Sequence, residues 1–573
     1  MPRLLAALSV CLLFAACAVT HPDRENFETL SREFLDAYLA EDPVRATELG
    51  VHDRDDRWPD LSRAAIQREI EAQREWLARV QAIPRERLGG TAYADHRILE
   101  YGIRARLLEL EEVRSWVRNP NFYNGIAARG LALLIDREFA PLEIRAAALA
   151  SRLETLPELL NAARANLDDV PQIFVDLAIR NVSGAAKFIR EDIPFALDHQ
   201  GLGDLPGETS TRIATAIDTA GAEMDRFEAW LREDLLPRAS GDFRLGPELF
   251  RKKLLYEEHV DIDLPALRRM NDEAIAGYRS WVEREAAMIQ PGTPAAQVMR
   301  DVTSSFPSAD RLISTAERNV EQARDFVLER NLVTLPTSDL PIIRPTPEFA
   351  RSSFASMSTP GPFEQVATEA YYNITLPDPA WSEQQQNEHL TYFNYPGLLG
   401  ISIHEVMPGH YVQLLYRQQV PTDLRKIFMP ASLIEGWAHY AEQMMIDEGL
   451  GGGAAALRLG QLRRALQRHA RWHVGMAMHV DGDSILDAAI DFAEIAFFAD
   501  FPALRETQRG TYNPTYLYYA LGRMEILSLR EDYRAHLEAH GHTFSIREFH
   551  DRILSLGLPL SLAREELIPA QAD

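Results

Sequence analysis

The chain has 573 residues, 46% hydrophobic and 25% charged, enough for a packed core spread over two or three lobes. Its 85 acidic against 60 basic side chains give a net charge of −25, which serves solubility and excludes nucleic acid as a partner, because a polyanion is repelled. The two cysteines, Cys11 and Cys17, both lie near the N-terminus, so the folded body has no disulfide and no thiolate, and any metal in it must be held by His and carboxylate.

The chain opens Met-Pro-Arg, followed by an apolar run from Leu4 to Val19. That run is short for a bilayer-spanning helix and follows a positive residue, the pattern of an export signal. Phe14-Ala15-Ala16-Cys17 resembles a bacterial lipoprotein cleavage site. Residues 1–17 are therefore expected to be a signal peptide. A lipidated Cys17 would anchor a periplasmic protein to the outer membrane, and ordinary cleavage near Ala16 or Ala18 is the other outcome.

Residues 18–330 read as a mostly helical N-terminal lobe. Apolar residues recur at three- and four-residue spacing over Phe27–Leu39, Ser62–Ala82, Asp95–Val117, Leu142–Leu167, Ile213–Leu236, Leu264–Met288 and Ala309–Glu329. Residues 331–573 read as a catalytic lobe. It begins with a Pro-rich stretch in which Ile342–Pro345 and Tyr371–Leu376 have strand character. Tyr372 and Asn373 are candidates for substrate contact: if Tyr371–Leu376 is an edge strand, it can hold an extended peptide by main-chain hydrogen bonds. The alternative is a core strand. Helices resume at Leu433–Asp447, Gln461–Met478 and Thr515–Leu537.

The chemistry concentrates at residues 404–410, His-Glu-Val-Met-Pro-Gly-His, reached through the apolar segment Tyr395–Ile403. Six residues separate the histidines, which in a regular helix leaves them roughly 120° out of phase and about 9 Å apart along the axis. Pro408 lacks an N–H and its ring clashes with the carbonyl of His404; Gly409 tolerates backbone angles that other residues avoid. A break at Pro408-Gly409 is therefore expected to swing His410 back toward His404, so that both bind one zinc ion. Glu405 cannot easily ligate the same ion as its neighbour His404 and takes the role of general base. Glu435 is the third ligand of choice, with Glu442 as the rival. Glu435, His439 and Glu442 share one helix face, and His439 is expected to orient a ligand.

His-Glu-x-x-Pro-Gly-His followed by Glu435-Gly-Trp-Ala-His-Tyr-Ala-Glu442 resembles the bacterial domain-of-unknown-function 885 family of zinc metallopeptidase-like proteins, as does the opening stretch Asp42–His52 with Asp55-Asp56-Arg57. The likeness extends over nearly the whole mature chain. It implies a gluzincin-like fold: mainly α, a helical ellipsoid with a deep channel, and a small β-sheet beside the metal helices. It also implies a zinc peptidase acting on short peptides, with ligands His404, His410 and Glu435 and base Glu405. Pro514, Tyr519, Gly522 and Arg523 match a further family motif. By that resemblance Tyr519 would stabilise the oxyanion, with Tyr518 and Tyr516 as fallbacks, and Arg523 would pair with a substrate carboxylate or with a nearby Glu. Arg471 and His479 match a third motif, and His479 is carried over as a transition-state contact. Gly475 and Ala477 depart from that motif, standing where Asp and Gly are expected. Those departures leave a second reading, a lipid-anchored peptide-binding protein on an inactive scaffold. Hydrolysis of a non-peptide amide or ester is a third.

Overall fold

Helices begin where the sequence supplies caps. In the computed structural model, which describes residues 22–347, 351 and 353–569, the Ser62 side chain accepts from the Ala65 N–H to start Arg63–Gln81. Asp263 does the same for Ala266 at the head of Leu264–Ile289. Such a cap satisfies one of the orphan N–H groups of the first turn. The segment expected to be an export signal, with Cys11 and Cys17, lies outside the described residues.

The expected helices are present with shifted ends: Pro22–Glu41, Thr91–Leu108, Leu142–Asn166, Gly207–Trp230 and Leu312–Arg330. The protein is mainly α-helical with one small sheet. No helix among the described residues is long and apolar enough to cross a membrane.

Strands β1 (Ile342–Pro345), β2 (Ala355–Ser358) and β3 (Tyr371–Ile374) form a sheet in the order β1-β3-β2. β3 runs parallel to β1 and antiparallel to β2. It is the central strand, which corrects the edge-strand reading. With partners on both sides it has no free main-chain row to offer a peptide. Its side chains are equally engaged. Tyr372 is fully buried with its hydroxyl 3.4 Å from Ser402 Oγ, and Asn373 Oδ1 accepts from Arg344 Nε at 2.8 Å. β3 thus braces the metal-motif helix from behind and is not a substrate rail.

The core that positions the site is built around that motif helix, Tyr395–Glu405. Asn394 caps it, its Oδ1 accepting from Gly397 N–H at 2.9 Å, and Pro396 sits in the first turn where no N–H is needed. Leu398, Leu399, Ile401 and Ile403 bury into a cluster shared with the helices Leu312–Arg330, Ala431–Asp447 and Tyr518–Ala539. On its other side the motif helix packs against Ala455–Met476, which also receives Leu264–Ile289. The N-terminal helices join through a buried ion pair between Asp95 and Arg425 at 2.6 Å.

The carboxylate helix, Ala431–Asp447, takes its cap from another element: Glu258 Oε2 accepts from Ser432 N–H at 2.7 Å. Burial pushes the Glu258 carboxyl up to about 7, against the pull of that hydrogen bond. Glu525 is also raised to about 7 by burial and then by the charge of Glu258. An acid raised in the folded state stabilises fully below its unfolded value, and the contribution is lost as pH rises through about 7. Thermal melts should therefore fall between pH 5 and pH 8, and Glu258→Gln, which keeps an acceptor but cannot ionise, should show a shallower fall than the parent.

Candidate metal centre

The motif helix ends at Glu405, and the chain turns back over Val406–Gly409 before helix His410–Arg417 begins. The break expected at Pro408-Gly409 is there. The Met407–Pro408 peptide is cis. Gly409 N–H donates to Ile403 O at 3.0 Å, and a Cβ built at Gly409 would lie 1.8 Å from His404 O. Only a residue without a side chain lets the backbone pass so close to the ligand's own carbonyl. Trp437 Nε1 then donates to Pro408 O at 2.8 Å. The Trp of Glu-Gly-Trp-Ala is thus the clamp that ties the second motif to the turn in the first.

The result is convergence. The His404 and His410 ring centroids lie 4.7 Å apart at 81°. Glu435 Oε2 is 3.5 Å from His404 Nε2 and 3.3 Å from His410 Nε2. Ligand atoms about 2.0–2.1 Å from a tetrahedral ion stand about 3.4 Å from one another, so this spacing matches a shared zinc. Glu435 Oε2 and His410 Nδ1 are buried with no hydrogen-bond partner among the described residues. Burial opposes ionisation of Glu435, but the charge of His410 and the close approach of both imidazoles hold its carboxyl well below the usual range. His404, His410 and Glu435 therefore fit a metal as three protein ligands.

Glu442, the rival ligand, does something else. Its Oε1 lies 2.7 Å from His404 Nδ1, on the side of the ring facing away from Glu435. It fixes the tautomer that leaves Nε2 free for metal. Arg464 grips Glu442 through two bonds of 2.6 and 2.9 Å, and Arg468 adds a third at 2.9 Å. Burial opposes the Glu442 charge, and the two guanidiniums more than offset it, holding the carboxyl well below the usual range. Loss of such an outer partner typically costs 10–100-fold in metal affinity. Glu442→Gln should weaken zinc binding by about that factor in a competitive chelator titration.

Other expected contributors fall elsewhere. His439 points Nδ1 toward Tyr519 O at 3.3 Å and orients neither a carboxylate nor a ligand imidazole. Arg523 is buried, its guanidinium shared among Tyr278, Gln443 and His469, so it is turned away from any substrate carboxylate. Its neighbour Gly522 explains the motif instead. A Cβ there would sit 1.9 Å from Ser432 O, and one at Gly436 would sit 2.6 Å from Gly522 C. The two glycines let the carboxylate helix and helix Tyr518–Ala539 touch backbone to backbone. His479 is also displaced from the centre: Nε2 bonds Gly510 O at 2.8 Å and Nδ1 accepts from Leu245 N–H at 3.3 Å. Burial lowers it to about 4, as suits a neutral ring bonded to main chain. At Gly475 a Cβ would stand 2.8 Å from Pro514 O, so an Asp would not fit there without a shift.

Tyr519 lies near enough to the centre for the charge of Glu435 to act on it. Burial and then the charge of Glu435 raise its hydroxyl, which keeps it a proton donor at neutral pH. Arg509 donates to that hydroxyl at 3.4 Å, and the Arg471 guanidinium lies 5.0 Å from the ring centre. Tyr518 stacks on Tyr519 and bonds Asn513, whereas Tyr516 is fully buried with its hydroxyl on Glu506 O. Of the arginines of this region the sequence motifs point to Arg471 alone, and Arg464, Arg468 and Arg509 go unread. Their signal was there in Arg464, Arg468 and Arg471, at four- and three-residue spacing on one helix.

Comparison with known proteins places the chain in a family and a fold. The family model described as "Bacterial protein of unknown function (DUF885)" matches residues 43–567. The chain belongs to the DUF885 family. Two solved structures share the fold of this DUF885 protein. One is described as "a putative lipoprotein of unknown function" from Shewanella oneidensis. It is 24% identical with a TM-score of 0.79, covering 95% of this chain and 99% of that one. The other, "the putative lipoprotein" from Colwellia psychrerythraea, is 16% identical with a TM-score of 0.77, covering 95% and 98%. No curated protein matches.

Proposed function

We propose that this DUF885 protein is a zinc-dependent metallopeptidase that hydrolyses short peptides. The observation that carries the reading is the 3.3–3.5 Å convergence of two imidazoles on one unpartnered buried carboxylate oxygen, with Glu405 next in sequence to a ligand. His404, His410 and Glu435 would hold the ion, which when bound supplies a Lewis acid that polarises a carbonyl and acidifies water.

The chain's own groups do the rest. Glu405 closes the motif helix, and its charge is felt by His410. It takes the proton from the attacking water and returns it to the leaving amine. The Tyr519 hydroxyl donates to the oxygen on which charge develops. Glu442, Arg464 and Arg468 fix the His404 ring. Gly475 lends no support to an inactive scaffold, since close packing against Pro514 accounts for it. Export follows from the leader, and the Phe14–Cys17 segment supports lipid attachment at Cys17, in keeping with the lipoprotein descriptions of the two structural neighbours.

Zinc-loaded protein incubated with a pool of short peptides should generate new termini detectable by mass spectrometry. Intact peptides after prolonged incubation with stoichiometric zinc would refute hydrolysis of peptides.

A further inference from the structure

Around Tyr519 the charges do not balance. Arg464 and Arg468 share Glu442, and Arg471 pairs with Glu506 through two bonds of 2.9 Å. Arg509 makes no ion pair among the described residues, and its one side-chain hydrogen bond is to Tyr519 Oη at 3.4 Å. Four guanidiniums thus face two carboxylates. Glu405 and Glu435 would be balanced by a divalent ion, so they do not make up the deficit. The protein as a whole carries −25, yet this wall of the site is cationic.

Arg509 is also held in place. It lies on helix Asp500–Tyr512, one turn beyond Glu506, which is locked to Arg471. It is half-buried. The position is beside the proposed oxyanion donor, as a specificity group must be. A guanidinium presents a planar fork that matches a carboxylate with two parallel hydrogen bonds.

From this we infer that Arg509 binds a carboxylate of the substrate, so that the enzyme selects peptides with a free C-terminus close to the scissile bond. The inference rests on the peptidase reading of the same site. An acidic side chain offers the same chemistry from another source.

The test uses one mixed-sequence peptide pool prepared as free acids and as C-terminal amides. Each is presented to the zinc-loaded parent, to Arg509→Gln and to Arg509→Lys. Cleavage is read by mass spectrometry. Retention on the zinc-loaded Glu405→Gln protein, with and without Arg509→Gln, is read after ultrafiltration. The parent should cleave acids at least tenfold better in kcat/KM than amides. Arg509→Gln should erase that difference by slowing the acids at least tenfold more than the amides, and Arg509→Lys should restore part of it. Retention of acids should fall with Arg509→Gln even where no bond is cut. Equal cleavage and equal retention of acids and amides overturns the role of Arg509 and leaves the peptidase standing. Arg509-dependent retention with no cleavage overturns the peptidase and leaves the carboxylate site. A preference confined to amides bearing Asp or Glu shows the side chain, not the terminus, to be the ligand, and overturns the C-terminal selection.

Discussion

Glu405→Gln is expected to keep zinc at full stoichiometry and to lose peptide hydrolysis by about 10²–10⁴-fold in kcat, the usual worth of a positioned general acid–base group. The separation of the two effects follows from position. Glu405 is adjacent to His404 on one helix, where neighbouring side chains diverge by about 100°, and it does not belong to the three-residue cluster of ligand atoms. KM should change little, because the amide keeps the size and polarity of the acid. Metal analysis and steady-state kinetics on the same preparation decide it. Full activity in the variant would remove Glu405 from the mechanism.

Gly409→Ala should have an effect of comparable size by a different route. Its methyl would lie 1.8 Å from His404 O and 2.4 Å from Ile403 O, both backbone atoms that cannot swing aside. Overpacking in a tight interior costs about 1–3 kcal/mol and more when backbone must move. Here the backbone that moves carries a ligand. Both thermal stability and zinc affinity should therefore drop together. Gly125→Ala is the control. It sits inside helix Pro120–Asp136 with nothing within 4 Å of the new methyl. It should leave zinc unaffected and raise stability by up to about 1 kcal/mol, since Ala is the better helix former. Calorimetry and a chelator titration of the two variants, side by side, separate a local clash from a general glycine effect.

Much of this site was legible in the sequence because its logic is local. The six-residue His–His spacing is incompatible with a continuous helix, and Pro408-Gly409 names the place where it must fail. Excluding cysteine narrows the third ligand to a carboxylate or His, and the downstream helix offers Glu435 with Glu442 as its rival. What sequence could not show is contact between distant segments. Glu442 reads as a ligand on the strength of its helix face, and only the packing of Ala455–Met476 places Arg464 and Arg468 against it. Arg523 reads as a partner for a substrate carboxylate or a nearby Glu, yet it is consumed by Tyr278, Gln443 and His469, and Gly522 before it is there to admit a neighbouring backbone. Tyr371–Ile374 has the composition of either an edge or a core strand. The deciding element, β2, lies in Ala355–Ser358, whose small polar residues give little strand signal. Helix starts with Ser or Asp caps were found closely, and Tyr518–Ala539, which has no side-chain cap, began three residues later than its apolar pattern indicated.

The proposed chemistry depends on imidazoles from either side of the Val406–Gly409 turn sharing one zinc ion with the carboxylate of Glu435. Anomalous diffraction at the zinc edge, from crystals grown with zinc supplied, measures this directly. One strong peak is expected about 2.0–2.2 Å from His404 Nε2, His410 Nε2 and a Glu435 oxygen, with Glu442 on His404 Nδ1 and off the metal. No peak at that point with zinc in excess, or a peak ligated by other residues, would contradict it.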